Sequence, residues 1–472
     1  MPSIRAAAPL VMLLLSGCVV GPDHETPQTP LPVKFSEGST KATGDVSLAA
    51  WWTAFNDPRL NSLVEKGMAE NLDVLQAIER ISQAEASYRS ADSGAFPQLN
   101  LSASQETAGR DAKGTLTTDS PTNSTTSGGV SVSWLLDLFG QYKRSKESAK
   151  ATLDAAYANA DVAKLTYLSS VVAAYIDARY YQERIAIAKK NLASRRETLQ
   201  LTQLQLEAGA ASRLDVVQSE GLVNSTIADI PGLETSFRQS THRIAVLLGL
   251  PAATLVADMQ KGAPQPYARR SVNAGVPADL IRNRPDIRAA ERSLASAVAE
   301  VGVAEAALYP SITLSGSITP AYVSTSKAFG ASNSWGFGPS LNLPIFDAGT
   351  RRANVDAQKS SARESYLAWK ETVLGAVEEV ENAMVSVNRT RQTVSALTAT
   401  VHSYEEALQL ATASYRDGAS SLLDVLDAQR NVASAQANLA QAVQQMATDY
   451  VNLNVAIGGG YAWGGKTVVA SK

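Results

Sequence analysis

Residues 207–222 read "EAGAASRLDVVQSEGL" and residues 416–431 read "RDGASSLLDVLDAQRN". At an offset of 209 they share Gly209/Gly418, Ala210/Ala419, Ser212/Ser421, Leu214/Leu423, Asp215/Asp424 and Val216/Val425. A turn glycine followed by serine and, three residues later, an acid spells a helix stop and a helix restart, because Ser212 or Ser421 at N-cap and Asp215 or Asp424 at N3 complete a capping box. One helical turn is written twice. The copies part where capping makes no demand, at Gln218 against Asp427 and Gly221 against Arg430.

The self-similarity extends outward from this turn. "ETLQL" at 197 matches "EALQL" at 406, and "LLG" at 247 falls opposite "AIG" at 456. Upstream, "NLDVLQAIERISQA" from 71 matches "RPDIRAAERSLASA" from 284, and "AFPQLNLS" from 95 matches "LYPSITLS" from 308, at an offset of 213. The chain therefore reads as a tandem duplication with a period near 210. Its expected organisation is a leader over 1–17, an N-terminal segment over 18–56, a first repeat over 57–249, a Pro-containing linker over 250–276, a second repeat over 277–458 and a tail over 459–472.

Each repeat is expected to run helix, strand, strand, very long helix, turn, helix. Asp57–Gly94 and Pro277–Leu308 carry helical spacing and stop at "FP" or "YP". The period then changes to two. Leu99, Leu101 and Ala103 alternate with Asn100, Ser102 and Ser104, and Val130, Val132 and Trp134 with Ser131 and Ser133. In the second copy Ile312, Leu314 and Ile318 alternate with serine and threonine, and Trp335, Phe337, Leu341, Leu343 and Ile345 with small or polar residues. These are two hairpins, about 96–136 and 310–346, with long polar tips. Strands that are apolar on one face and uncharged but polar on the other fit the wall of a transmembrane β-barrel with a wet lumen. Four strands cannot close, and an open edge in lipid leaves backbone groups unpaired, so such a chain must oligomerise. Beyond the strands, about 70 proline-free residues run to each turn, roughly 105 Å of helix. Return helices over Arg213–Leu248 and Leu422–Ile457 come back about half that distance and stop at glycines.

The N-terminus adds an address. Arg5 precedes a short apolar run ending in Leu15-Ser16-Gly17-Cys18, too short to span a bilayer. It resembles the bacterial lipobox, in which the cysteine is acylated and becomes the first mature residue. Cys18 is the chain's one cysteine, so the mature fold has no internal disulfide. Val19 does not resemble the Asp that retains lipoproteins in the inner membrane, which places the lipid in the outer membrane.

Net charge of −3 and scattered charges give no basic footprint for nucleic acid. The three histidines, His24, His242 and His402, have no second ligand at metal spacing, and no nucleophile–base set is recognisable. "GYAWGGKT" over 460–467 matches a phosphate-loop pattern formally, but a helix precedes it where a strand is required. The chain is expected to be no enzyme and to carry no cofactor beyond the lipid on Cys18.

On the stretches "WWTAFNDPRLNSLV" (51–64), "RPDIRAAERSLASAVAEVGVAEAALYPSITLSG" (284–316), "LPIFDAGTRRA" (343–353) and "YRDGASSLLDVLDAQR" (415–430), together with the duplication, the chain resembles the TolC-like outer-membrane factors of tripartite RND-type efflux pumps, in their OprM/NodT-like lipoprotein branch. The resemblance implies an α+β membrane protein: a homotrimer closing a 12-stranded β-barrel, four strands per chain, continued by a long α-helical barrel through the periplasm with a mixed equatorial belt. It implies a periplasmic adaptor protein and an inner-membrane pump as partners, and passive export of drugs or other small solutes. A duct for type I protein secretion and a pore-less coiled-coil lipoprotein are the alternatives.

For the turn, the resemblance places a closing constriction on Leu423 and Asp427 facing the pore, with Arg430 pairing with acids to hold the helices inward and Asp424 one turn earlier. It also links Asp215 to Tyr415 in the closed state, through a position where the family has arginine and this chain has Ser420. The plain alternative for Asp427 and Arg430 is a surface ion pair three residues apart on one helix.

Overall fold

The computed structural model describes residues 19–38, 41, 45–109, 122–268, 272, 274–325 and 328–462. Cys18, most of the first hairpin loop and part of the Gly460–Thr467 match lie outside these residues. The described elements are α1 (Pro58–Glu70), α2 (Leu72–Ser93), β1 (Gln98–Gly109), β2 (Thr122–Leu136), α3 (Gln141–Glu207), α4 (Arg213–Leu247), α5 (Pro277–Asn283), α6 (Pro285–Ala306), β3 (Ser311–Thr325), β4 (Phe329–Asn342), α7 (Thr350–Arg416) and α8 (Leu422–Ala456). Short helical turns occupy Trp51–Phe55 and Ala252–Met259.

The long helices α3 and α7 are both 67 residues and the return helices α4 and α8 both 35. Gln141 to Thr350 and Arg213 to Leu422 are each 209 positions, whereas Leu72 to Pro285 and Gln98 to Ser311 are each 213. The four-residue difference arises between the start of each hairpin and the start of the long helix that follows it.

Two expectations need correction. Each first helix, expected to be continuous over 57–94 and 277–308, is broken, at Asn71 and at Arg284, both with extended backbone. Asn71 caps α2, its Oδ1 accepting from the amides of Asp73 and Val74 at 3.0 Å, while Arg284 precedes a proline that disfavours helical ψ. The breaks are equivalent positions doing one job. Asn71 Nδ2 donates to the Leu247 carbonyl at 2.8 Å and Arg284 Nη1 to the Ala456 carbonyl at 2.9 Å, so each satisfies a carbonyl at the buried C-terminus of its own return helix. The fourth strand ends at Asn342 rather than reaching Ile345, because Pro344 has no amide to give the ladder.

By compactness the chain forms two units, and each draws on both copies. One comprises residues through Gln28, Ile81–Ala156 and Ala290–Trp369. It holds the sheet, antiparallel throughout in the order β1-β2-β3-β4. Here the helical segments approach through small side chains, with Ala151, Ala155, Ala295 and Ala299 buried and Ser148 hydrogen-bonded to Ser296 at 2.9 Å.

The other unit comprises Thr29–Arg80, Tyr157–Ala289 and the chain from Lys370. Its core gathers Trp51, Trp52 and Phe55, then Leu60 and Val64 of α1, Leu168, Val172 and Ile176 of α3, Ile244 of α4, Met259 of the linker and Tyr450 of α8. Approach is close. A Cβ on Gly67 would stand 1.9 Å from the Tyr167 hydroxyl oxygen, so α1 and α3 touch only because that residue is glycine. The N-terminal segment, the linker and the residues just after α8 share this core, Trp51 Nε1 donating to the Gly459 carbonyl at 3.1 Å.

Candidate channel wall and gate

The registers carry the period-2 pattern across all four strands. Leu101 faces Val130, which faces Ile318, which faces Trp335; Leu99 faces Val132, then Gly316, then Phe337. Directly paired residues of antiparallel strands share a face, so the helix-side part of one face carries Leu99, Leu101, Val130, Val132, Trp134, Ile312, Leu314, Ile318, Trp335, Phe337 and Leu341, and toward the hairpin tips the same face carries Gln105, Thr107, Ser124 and Thr126. The Phe337 ring lies over Gly316, where a Cβ would meet it at 2.2 Å, so the glycine seats the ring. On the other face Ser102 lies opposite Gly129, Asn100 opposite Ser131 and then Ser317, and Ser133 opposite Ser315 and then Gly338. Ser104 and Ser127 exchange a hydroxyl contact of 2.9 Å there. Glu106 is the one charged residue in the four described strands.

The apolar face is bare. Leu101 is 81% exposed and Trp335 74%, and the patch runs the width of the sheet, which a chain surrounded by water would not maintain. The outer edges, β1 and β4, have no strand partner among the described residues. All four helix connections leave at one end of the sheet, and the paired strand ends Gly109/Thr122 and Ser324/Phe329 lie at the other. The helix end bears aromatics, with Trp134 Nε1 donating to the Ala95 carbonyl at 2.9 Å and Phe139 stacked on Tyr309 at 4.6 Å. No single described helix is long and apolar enough to cross a membrane.

In the second unit, both turns are built as the repeated sequence requires. Gly209 and Gly418 have φ of +75° and +73°, and their helices close with paired bonds: Ala210 to Gln205 and Gly209 to Leu206, then Ala419 to Ser414 and Gly418 to Tyr415. Both capping boxes are present. Ser212 N donates to Asp215 Oδ2 at 2.8 Å and Ser421 N to Asp424 Oδ2 at 3.1 Å, each serine hydroxyl accepting the acid's amide in return. Replacing Ser212 or Ser421 by Ala is expected to cost each return helix about 1 kcal/mol in local opening. Hydrogen exchange of the first helical turn after each serine reads this, and a loss in only one copy would contradict the shared role.

Of the candidate gate residues, Leu423, Asp427 and Arg430 line one exposed stripe of α8, four and three residues apart. Arg430 Nη1 and Asp427 Oδ1 lie at 2.7 Å, both side chains about half exposed. Asp424 is held by its cap. Beneath the stripe Leu422, Val425 and Leu426 pack with Tyr415. The structure does not bring Asp215 and Tyr415 into a hydrogen bond. Asp215 is engaged by Ser212, and the buried Tyr415 hydroxyl lies 3.4 Å from Thr202 Oγ1; the hydroxyl of Ser420, where the family's arginine would reach across, donates to the Ala411 carbonyl at 3.5 Å.

Sequence reasoning missed the buried polar contacts that seat α8 on α3. Gln429 Nε2 donates to Thr198 Oγ1 at 2.8 Å, and Asn191 Nδ2 to Gln436 Oε1 at 3.2 Å. Arg195 is buried beside them, bonded to Thr226 and the Leu222 carbonyl of α4. Burial holds its guanidinium below the ordinary value, against the pull of Asp229 and with Arg430 adding repulsion. No cluster of His, Cys, Asp or Glu suited to a metal occurs among the described residues.

A family model described as outer membrane efflux protein matches the chain twice, over residues 63–250 and 276–459. "Nodulation protein T" of Rhizobium leguminosarum bv. trifolii is 55% identical over 458 residues, covering 97% of each chain. "Cation efflux system protein CusC" of Escherichia coli O6:H1 is 30% identical over 460 residues, 96% of this chain and 97% of that one. Among solved structures, the outer-membrane channel OprN superposes with a TM-score of 0.83 at 33% identity, over 94% of this chain and all of that one.

Proposed function

The chain belongs to the outer membrane efflux protein family, and from that membership we propose that it is a passive exit duct: three copies close a 12-stranded barrel, the helices continue it through the periplasm, and drugs or other small solutes enter from an inner-membrane RND-type pump through a periplasmic adaptor. The chain is an outer-membrane protein. The observation that carries the reading is the sheet. A bare apolar band on one face, a second face mostly of serine, threonine, asparagine and glycine, and two edges without a strand partner among the described residues are what one of three copies closing a wall between lipid and water would need. A pore-less coiled-coil lipoprotein would have no use for it. Stepwise single-channel conductance in planar bilayers is the expected result; a purified protein that inserts no channels overturns the reading.

The gate is proposed on Leu423, Asp427 and Arg430, with Asp424 held to its cap and Asp215 and Tyr415 as the tip linkage formed on closing. Three copies about an axis would set Asp427 in a carboxylate ring and Leu423 in an apolar one.

The anchor is proposed at Cys18. Residues next to it are fixed at the strand–helix junction of the same unit, where Val20 N donates to the Phe139 carbonyl at 3.2 Å and Arg144 donates to the carbonyls of Val20 and Gly21. An acyl chain on Cys18 would then start at the membrane surface. Mass spectrometry of the mature N-terminus is expected to find a triacylated cysteine, and an unmodified terminus or cleavage elsewhere would defeat the proposal.

A further inference from the structure

Directly below the helix end of the sheet lies a cavity of about 630 Å³ between α2, α3, α6 and the N-terminal segment, all within the unit that holds the sheet. Its buried lining is apolar, with Ala151, Ala295 and Ala299. Its rim is cationic. Lys143, Lys146 and Lys150 recur at three and four residues along one face of α3 and line it with Arg144 and Arg292. The acids lining it are Asp23, Glu147 and Asp154, fewer than the cations, in a chain whose net charge is −3.

Two of the cations are already committed. Arg144 clamps the N-terminal tail and meets Asp23 at 2.9 Å, and Arg292 meets Glu291, which also receives His24 at 2.6 Å. The lysines are looser. Lys146 pairs with Asp92 and Lys150 with Asp154 across half-exposed surface, and the Lys143 ammonium has no carboxylate partner among the described residues. Exposed pairs of that kind exchange partners at little cost.

The position of these ammonium groups is the second observation. Lys143, Lys146 and Lys150 stand about 3, 8 and 14 Å along the helix from Gln141, where the chain leaves the sheet. Beyond the hydrocarbon core a headgroup layer is about 5–8 Å thick. If the sheet spans the hydrocarbon, the first two lysines lie in the headgroup layer of the periplasmic leaflet and the third reaches it with its flexible stem. The same cavity receives the tail next to Cys18: Pro22, Asp23 and His24 line it, and Gly21 lies so close to α6 that a Cβ there would stand 2.4 Å from Gly302 Cα.

We propose that this cavity binds the phosphodiester headgroup of an anionic glycerophospholipid of the periplasmic leaflet, Lys143, Lys146 and Lys150 holding the phosphate and the alanine floor seating the glycerol backbone. The inference rests on the reading of the sheet as a membrane wall. A free phosphate would satisfy the lysines alone, but it would leave the apolar floor unused and would have no reason to sit at leaflet height.

The test is lipid add-back to the delipidated full-length protein in detergent, followed by native mass spectrometry with dioleoylphosphatidylglycerol and dioleoylphosphatidylcholine as probes. The wild type is expected to prefer the anionic lipid. Lys143→Gln, Lys146→Gln and Lys150→Gln are each expected to weaken it about fivefold, and together by about a hundredfold, while phosphatidylcholine binding stays unchanged. Asp154→Asn, which removes a competing carboxylate, is expected to tighten the anionic lipid; this variant keeps the test open if the triple variant folds poorly. Unchanged phosphatidylglycerol binding in either variant overturns the proposal, as does complete displacement of the lipid by millimolar sodium phosphate, which would reveal a free-anion site. Single-channel conductance of the same samples separates the two readings, since loss of lipid preference with intact channels leaves the duct standing, and absence of channels in the wild type removes the duct itself.

Discussion

Replacing Asp427 and Arg430 together by Ala is expected to raise single-channel conductance and to weaken block by divalent and trivalent cations, while Gln218→Ala, at the equivalent site of the first copy, does neither. Three copies of Asp427 about an axis would concentrate negative charge at the narrowest part of the duct. Unit charges 4 Å apart interact by about 1 kcal/mol even at the permittivity of water, and a tenfold change in binding needs about 1.4 kcal/mol. Loss of three carboxylates should therefore weaken block, by less than the bare charges would, because the paired Arg430 guanidiniums leave with them. Stability gives the contrast. An exposed i,i+3 pair contributes at most about 1 kcal/mol, and Arg430 and Asp427 are each half exposed in the single chain. Thermal stability should hardly move while permeation does. Small and equal effects from the double variant and from Gln218→Ala would reduce Asp427 and Arg430 to a surface ion pair.

Arginine in place of Leu101 or Leu314 is expected to cost about 2–4 kcal/mol in membrane folding, as charge on a lipid-facing strand position near mid-bilayer does. Ser102→Arg, one residue along the same strand but on the opposite face, should fold and instead shift selectivity toward anions. The register makes the comparison sharp. Leu101 continues through Val130 and Ile318 to Trp335, and Ser102 lies on the serine and glycine face. Folding is read as recovery of a heat-resistant trimer, selectivity as reversal potential in a salt gradient. Equal damage to assembly from both kinds of change would mean that the faces are assigned the wrong way round.

Much of this was legible in the sequence because it is written in short-range patterns. Gly209 and Gly418, Ser212 and Ser421, Asp215 and Asp424 act on neighbours within five residues, and the strand faces need only alternation. The breaks at Asn71 and Arg284 were legible in part, through an asparagine ahead of an acid and an arginine ahead of a proline, yet the reason both residues are needed lies at Leu247 and Ala456, more than 170 positions away. Contacts of that range are set by packing alone. The same holds for Gln429 on Thr198, and for Tyr415, which the resemblance directs to Asp215 and the structure places beside Thr202. At the candidate gate, the stripe of Leu423, Asp427 and Arg430 follows from spacing; the engagement of Asp424 by its own cap follows from the repeated turn.

The pairing of β2 with β3 also sets a timetable for the newly made chain. Between these two strands the ribosome must make α3, α4, the linker, α5 and α6, so the first hairpin emerges long before the strand that will cover one of its edges. Joining ends so far apart in sequence is entropically slow, and an uncovered edge invites pairing with the wrong chain. A product truncated in the linker would keep both edges of its hairpin open indefinitely, making it a seed for aggregation rather than a harmless fragment.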